Sequence, residues 1–108
     1  MAYENALRCL SDPTRRRVFE RLRSGPKSVA VLAKGLPVSR PAVSQHLKAL
    51  KEAGLVIDRS AGARRVYCID PDGLGDLRRW IDQFWDQALA SFKEEVEGSS
   101  PARGRKKP

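Results

Sequence analysis

In 108 residues the sequence holds two cysteines and one histidine. Cys9 and Cys68 stand singly, in neither a Cys-x-Cys nor a Cys-x-x-Cys pair, so they read as small packing thiols in a reducing compartment. The lone His46 has no cysteine or carboxylate at ligand spacing, and one imidazole cannot fill a zinc coordination sphere. It reads as a packed ring or a phosphate contact. No apolar run approaches the roughly 20 residues of a membrane span. Met1-Ala2-Tyr3-Glu4-Asn5 lacks the basic-then-apolar order of a secretory leader, so a soluble cytoplasmic protein is expected. A Ser/His/acid set and a Gly-rich phosphate loop are also missing. Asp70, Asp72 and Asp76 cluster, but near a helix start the helix dipole accounts for them. Neither enzymatic activity nor a cofactor is expected.

Positive charge is abundant and unevenly placed. Residues 1–69 carry 14 Lys/Arg against 5 Asp/Glu, residues 70–97 carry 3 against 8, and residues 98–108 carry 4 against none. The first segment suits a polyanionic partner, because neutralised phosphates release counterions whatever the base sequence, and charge alone fits RNA or an acidic protein as well as DNA. The closing segment, Gly98 to Pro108, has no large apolar side chain and reads as a disordered basic tail. Residues 1–97 are then one domain, and a chain this small often completes its apolar burial by pairing with a copy.

The apolar spacing predicts five helices and one hairpin. Tyr3 to Leu10 is a short amphipathic helix. Asp12 caps a second, from Pro13 to about Arg23, with Val18, Phe19 and Leu22 inward. Ser28 caps a short third that buries Val29, Leu32 and Ala33. A fourth runs from Ser39 to Ala53 and stops at Gly54. Leu55-Val56-Ile57 and Arg64 to Ile69 read as strands around a Gly-containing connection. From Leu74 to about Glu97 the pattern of Leu74, Leu77, Trp80, Ile81, Phe84, Trp85, Ala88, Phe92 and Val96 marks one long amphipathic helix.

The fourth helix carries the functional pattern. Stepping 100° per residue places Val43, Leu47 and Leu50 on one face and Pro41, Gln45, Lys48 and Glu52 on the other. Its N-terminal turns offer Ser39, Arg40, Pro41, Ala42, Ser44 and Gln45 to a partner. Ser44 and Gln45 can hydrogen-bond base edges, Ala42 can meet a thymine methyl, Arg40 a guanine or a phosphate, and Lys48 a phosphate. An ordinary surface helix shows the same two faces. The hairpin that follows favours double-stranded DNA, because Arg59, Arg64 and Arg65 flank its tip and can lie along a phosphate backbone or enter a minor groove.

Three stretches, Leu10-Ser11-Asp12-Pro13-Thr14-Arg15-Arg16, Ser44 to Val56 (SQHLKALKEAGLV) and Gly62-Ala63-Arg64-Arg65-Val66-Tyr67, closely resemble ArsR-type winged-helix repressors in order and spacing. The resemblance covers about residues 3–95. It implies a mainly α winged helix-turn-helix fold of order α-α-α-α-β-β-α, with Ser39 to Leu50 as recognition helix and Arg59 to Val66 as wing. It also implies a homodimer built from the first and last helices, through Leu7 and Leu10 and through Leu77, Trp80, Ile81, Phe84, Trp85, Ala88 and Phe92. Metal-sensing members use a Cys-x-Cys pair on the third helix or Asp and His on the last. Here the third helix reads Val29-Ala30-Val31-Leu32-Ala33 and the last has no imidazole, so the branch without metal ligands is implied.

The expected function is an (auto)repressor that occludes a promoter at an inverted-repeat operator, with no small-molecule effector legible. A thiol switch at Cys9 or at Cys68, near Arg64 and Arg65, is one alternative. A protein-interaction module that has kept the fold and lost DNA binding is another.

Overall fold

The structure, a computed structural model, describes residues 2–98. Its elements are α1 (Ala2–Cys9), α2 (Pro13–Arg21) with a 3-10 turn at Leu22–Ser24, α3 (Val29–Lys34), α4 (Arg40–Glu52), β1 (Val56–Ala61), β2 (Arg64–Ile69) and α5 (Pro71–Gly98). The order matches the sequence reading element for element. The chain divides between Leu77 and Arg78 into two compact units, so α5 begins in the first and supplies the second. Gly98 closes α5, and the rest of the expected basic tail lies outside the described residues.

Short polar side chains start each helix of the first unit from α2 onward. The Asp12 carboxylate accepts from the N–H groups of Thr14 (2.9 Å) and Arg15 (3.0 Å), with Pro13 first in α2. Ser28 accepts from Val31 N, and Ser39 from Ala42 N, each at 3.3 Å. Each cap satisfies a donor that the first turn otherwise leaves bare. Asp70 repeats the device ahead of α5, accepting from Asp72 N at 3.0 Å with Pro71 behind it. This is why α5 starts at Pro71 and not, as the apolar spacing suggested, at Leu74.

The end of α4 explains the entry into the hairpin. Gly54 takes φ 80, its N–H donates to Lys51 O, and the Leu55 N–H donates to Leu50 O, both at 3.0 Å. This is a Schellman closure, with the usual apolar contact in place because Leu50 and Leu55 are both fully buried. The second strand has the expected bounds, Arg64–Ile69, whereas β1 runs from Val56 through Ala61, past the expected Ile57, and Ala61 pairs with Arg64 across a two-residue turn at Gly62-Ala63. Gly62 at φ 66 followed by an alanine without positive φ fits a type II′ turn, whose twist suits a hairpin. Helix α2 in turn ends two residues earlier than expected, tightening into the 3-10 turn.

One core serves the first unit. Val18, Leu22, Leu32, Val43, Leu47, Leu50, Leu55 and Val56 are at most 2% exposed, and Ala6, Cys9, Phe19 and Leu77 are also buried. Lys27 pairs with Tyr67 through both backbone bonds (3.0 and 2.9 Å), so β2 is anchored on the segment before α3 as well as on β1.

In the second unit α5 continues as a single helix. Ile81, Phe84, Trp85, Leu89, Phe92 and Val96 are all exposed there, Phe92 at 65% and Trp85 at 62%. On a helical projection they fall within about 140° of arc. Trp80 and Phe84, one turn apart, stack with ring centroids 5.8 Å apart. Among the described residues, no helix is long and apolar enough to cross a membrane.

Candidate nucleic-acid interface

Helices α3 and α4, joined by Gly35 to Ser39, form the helix-turn-helix, and the core fixes which face of α4 stays free. With Val43, Leu47 and Leu50 fully buried, Ser39, Arg40, Pro41, Ser44, Gln45 and Lys48 are exposed and Ala42 is half-buried. The Ser39 hydroxyl is already engaged as the cap of α4. The connecting turn is held from behind, where the Arg21 guanidinium donates to Gly35 O at 2.7 Å.

His46 is half-buried at the edge of that face, and its Nδ1 accepts from the Arg15 Nε–H at 3.3 Å. Through this bond His46 links α4 to α2. Of the two roles read from the sequence, the packed ring matches this environment. The same Arg15 lies over Cys9 and Asp12. Burial pushes the Cys9 thiol up, and Arg15 offsets this only in part. Bonds from the Arg15 and Thr14 backbone N–H groups hold the Asp12 carboxyl below the usual range, with desolvation opposing them.

The hairpin separates three arginines that the sequence reading treated alike. Successive side chains alternate across a strand, which puts Arg59 and Arg64 on one face and Arg65 on the other. Arg59 and Arg64 are exposed, and the Arg59 guanidinium approaches Cys68 Sγ at 4.0 Å. Arg65 lies diagonal to Asp58 and donates to its Oδ2 at 2.9 Å, while Lys51, in the last turn of α4, reaches Oδ1 at 2.7 Å. These bonds, Lys51's foremost, hold the Asp58 carboxyl below the ordinary aspartate range. Sequence reasoning missed Asp58. The available signal was its position, two residues before the cross-strand partner of Arg65.

Wing and helix-turn-helix meet in an open groove of about 470 Å³, lined by Ser28, Arg40, Arg64, Arg65 and Tyr67 among others. Arg40, Arg64 and Arg65 thus line one concave, positively charged surface from different elements, which suits a phosphate backbone. Among the described residues no three His, Cys, Asp or Glu side chains stand together as a metal set. Of the residues expected at a dimer contact, Leu7 is exposed, Leu10 and Trp80 are half-buried, and Ile81, Phe84, Trp85, Ala88 and Phe92 are exposed. Leu77 is instead 7% exposed, so the core of the first unit already holds its side chain.

A family model described as a helix-turn-helix domain matches residues 10–59. The chain is 54% identical over 94 residues to the HTH-type transcriptional regulator Rv2034 of Mycobacterium tuberculosis, covering 87% of this chain and 88% of that one. It is 31% identical over 80 residues to the transcriptional repressor SdpR of Bacillus subtilis, covering 74% and 89%. Among solved structures, an ArsR-like transcriptional regulator from a Rhodococcus species superposes with a TM-score of 0.73 at 32% identity, over 86% of this chain and 91% of that one. These relatives are regulators and not enzymes. Fold, interface and relatives together show that the chain belongs to the ArsR-type winged helix-turn-helix family of DNA-binding transcriptional regulators.

Proposed function

We propose that the protein is a homodimeric repressor that occludes its promoter at an inverted-repeat operator and does so without sensing a metal. The observation that carries this reading is the division of α4: Val43, Leu47 and Leu50 lock one face into the core, leaving Arg40, Pro41, Ser44 and Gln45 free at the end that recognition helices present to bases. Ser44 and Gln45 read base edges and Ala42 a thymine methyl, while Arg40, Lys48, Arg59 and Arg64 hold phosphates or a narrow groove. Ser39 and His46 act through their own hydrogen bonds, shaping the N-terminus and inner edge of the helix.

Residues 1–97 form the DNA-binding and dimerisation module and residues 98–108 a basic tail. The exposed stripe on α5 is too apolar to stand in water unaided, and a second copy is its natural cover. The relative SdpR is a transcriptional repressor by name, which supports repression here. Helix α3 offers no thiol, and from Arg78 on α5 offers carboxylates without an imidazole, a poor donor set for a transition metal.

The test is fluorescence anisotropy with the chain's own promoter and a scrambled duplex at two salt concentrations. A promoter preference of at least about a thousandfold is expected for a specific site. Gln45→Ala should lose about 1–3 kcal/mol on the promoter and little on scrambled DNA. Equal, salt-governed binding to both duplexes, unchanged by Gln45→Ala, would sink the reading in favour of a protein-interaction module.

A further inference from the structure

Three charges outside the base-reading face form a closed unit. Lys51 ends α4, Asp58 is in β1 and Arg65 in β2, and one carboxylate engages both cations, at 2.7 Å to Lys51 and 2.9 Å to Arg65. The Asp58 side chain is only 12% exposed, whereas those of Lys51 and Arg65 are each 55% exposed. Released from the carboxylate, both cations would stand at the surface beside the recognition helix and the wing. An unengaged cation binds any phosphate equally well, so it raises affinity for every sequence and discriminates among none. Arg59 and Arg64, on the other face of the hairpin, have no carboxylate at bonding distance among the described residues. The ion pairs therefore withdraw one particular pair of cations from an otherwise open basic surface.

We propose that Asp58 is a specificity-determining and positioning residue: it holds Lys51 and Arg65 away from indiscriminate phosphate contact and fixes the wing against the end of the recognition helix. The proposal rests on the DNA-binding reading of α4 and the hairpin. A merely structural anchor and a charge mask predict opposite results when Asp58 loses its charge. Loss of an anchor weakens binding to all DNA, whereas loss of a mask strengthens binding to the wrong DNA.

The experiment measures affinity of wild type and Asp58→Asn for the promoter and a scrambled duplex across a salt series. For Asp58→Asn, the log-log salt slope on scrambled DNA should steepen by about 1–2 per protomer, and scrambled-DNA affinity at low salt should rise about 3- to 10-fold. The ratio of promoter to scrambled affinity should fall, and Asp58→Glu should restore it. In the triple variant Asp58→Asn/Lys51→Gln/Arg65→Gln, the gain on scrambled DNA should vanish. An unchanged slope and unchanged scrambled-DNA affinity overturn the proposal, as does weaker binding to both duplexes. If Asp58→Asn does not fold, Lys51→Gln/Arg65→Gln decides: with both cations already engaged, the slope stays within about 0.5 of wild type, and a loss near 2 overturns the proposal. If the wild type itself shows no salt-dependent DNA binding, the underlying DNA reading fails and this one with it.

Discussion

Gly73 sits in the first turn of α5, where an alanine would ordinarily strengthen a helix by roughly 0.5–1 kcal/mol. The structure reverses that sign. A Cβ added at Gly73 would meet the backbone of the α4–β1 turn, 2.7 Å from the Gly54 carbonyl carbon, closer still to its oxygen, and 3.5 Å from Leu55 N. Gly54 cannot step aside cheaply, because its positive φ and the two Schellman bonds fix the end of α4. Leu55, the next residue, is fully buried and accepts from Asp70 N at 2.9 Å. Overpacking of this kind costs about 1–3 kcal/mol. For a domain of this size that lowers Tm by roughly 5–20 °C. Circular dichroism melts and urea titrations of Gly73→Ala and wild type, at equal protein concentration, measure the change. Gly98→Ala, with nothing within 4 Å of the added carbon, is the control and should be near neutral. A Gly73→Ala protein that melts at or above wild type would refute the close packing of α5's first turn on the α4–β1 turn.

Leu47→Ala, at a fully buried site, should cost about 2–5 kcal/mol in urea unfolding; a loss below about 1 kcal/mol would put the core elsewhere. Asp12 and Asp58 have carboxyls held below their ordinary value in the fold. Their contributions are therefore fully present above the unfolded aspartate value and are lost as pH falls through the lowered native values. Acid titration of the urea midpoint should decline less steeply in Asp12→Asn and Asp58→Asn than in wild type, and parallel curves would contradict this. Cys9 is buried, with its thiol pushed up, whereas Cys68 is half-exposed. At neutral pH, iodoacetamide should label Cys68 well before Cys9 in the folded protein, and peroxide should not release DNA through Cys9; the reverse labelling order would revive a switch there.

Much of this architecture was legible because local signals agreed with one another. Asp12-Pro13, Ser28, Ser39 and Gly54 each occupy the cap that their chemistry favours, and the spacing of Val43, Leu47 and Leu50 gave the buried face of α4 directly. Misses arose where a cap or a tertiary contact lay outside the apolar pattern. Apolar spacing alone starts α5 at Leu74, because Asp70-Pro71 lies outside that spacing, although it is the same cap as Asp12-Pro13. Nothing in the apolar pattern announced that Lys27 would pair with Tyr67, since that bridge joins segments far apart in sequence. Arg64 and Arg65 looked equivalent as neighbours, and only strand alternation with a cross-strand acid separates them. Leu77 carried the period of the α5 stripe, yet the first unit buries it, so helical periodicity alone did not mark where core ends and exposed stripe begins.

Charge is sorted along this chain in a way that ties DNA binding and the proposed self-association to different forces. Residues 1–69 carry 14 Lys/Arg against 5 Asp/Glu, while residues 70–97 carry 3 against 8. The acidic stretch also bears the exposed Ile81, Phe84, Trp85, Leu89 and Phe92. Phosphate would repel a helix with that charge, which favours the copy of the chain in the proposed dimer over DNA as the cover of its aromatic face. In the proposed dimer, contact between two such helices would be driven by apolar burial against the mutual repulsion of their carboxylates, and added salt would screen that repulsion. Binding to DNA falls linearly on a log scale as salt rises. Raising salt to about 0.5 M should therefore strip the protein from DNA while leaving the dimer intact or tighter. Sedimentation equilibrium beside anisotropy, in the same buffers, separates the two. Dimer dissociation in step with DNA release would mean that charge, and not the apolar stripe of α5, holds the copies together.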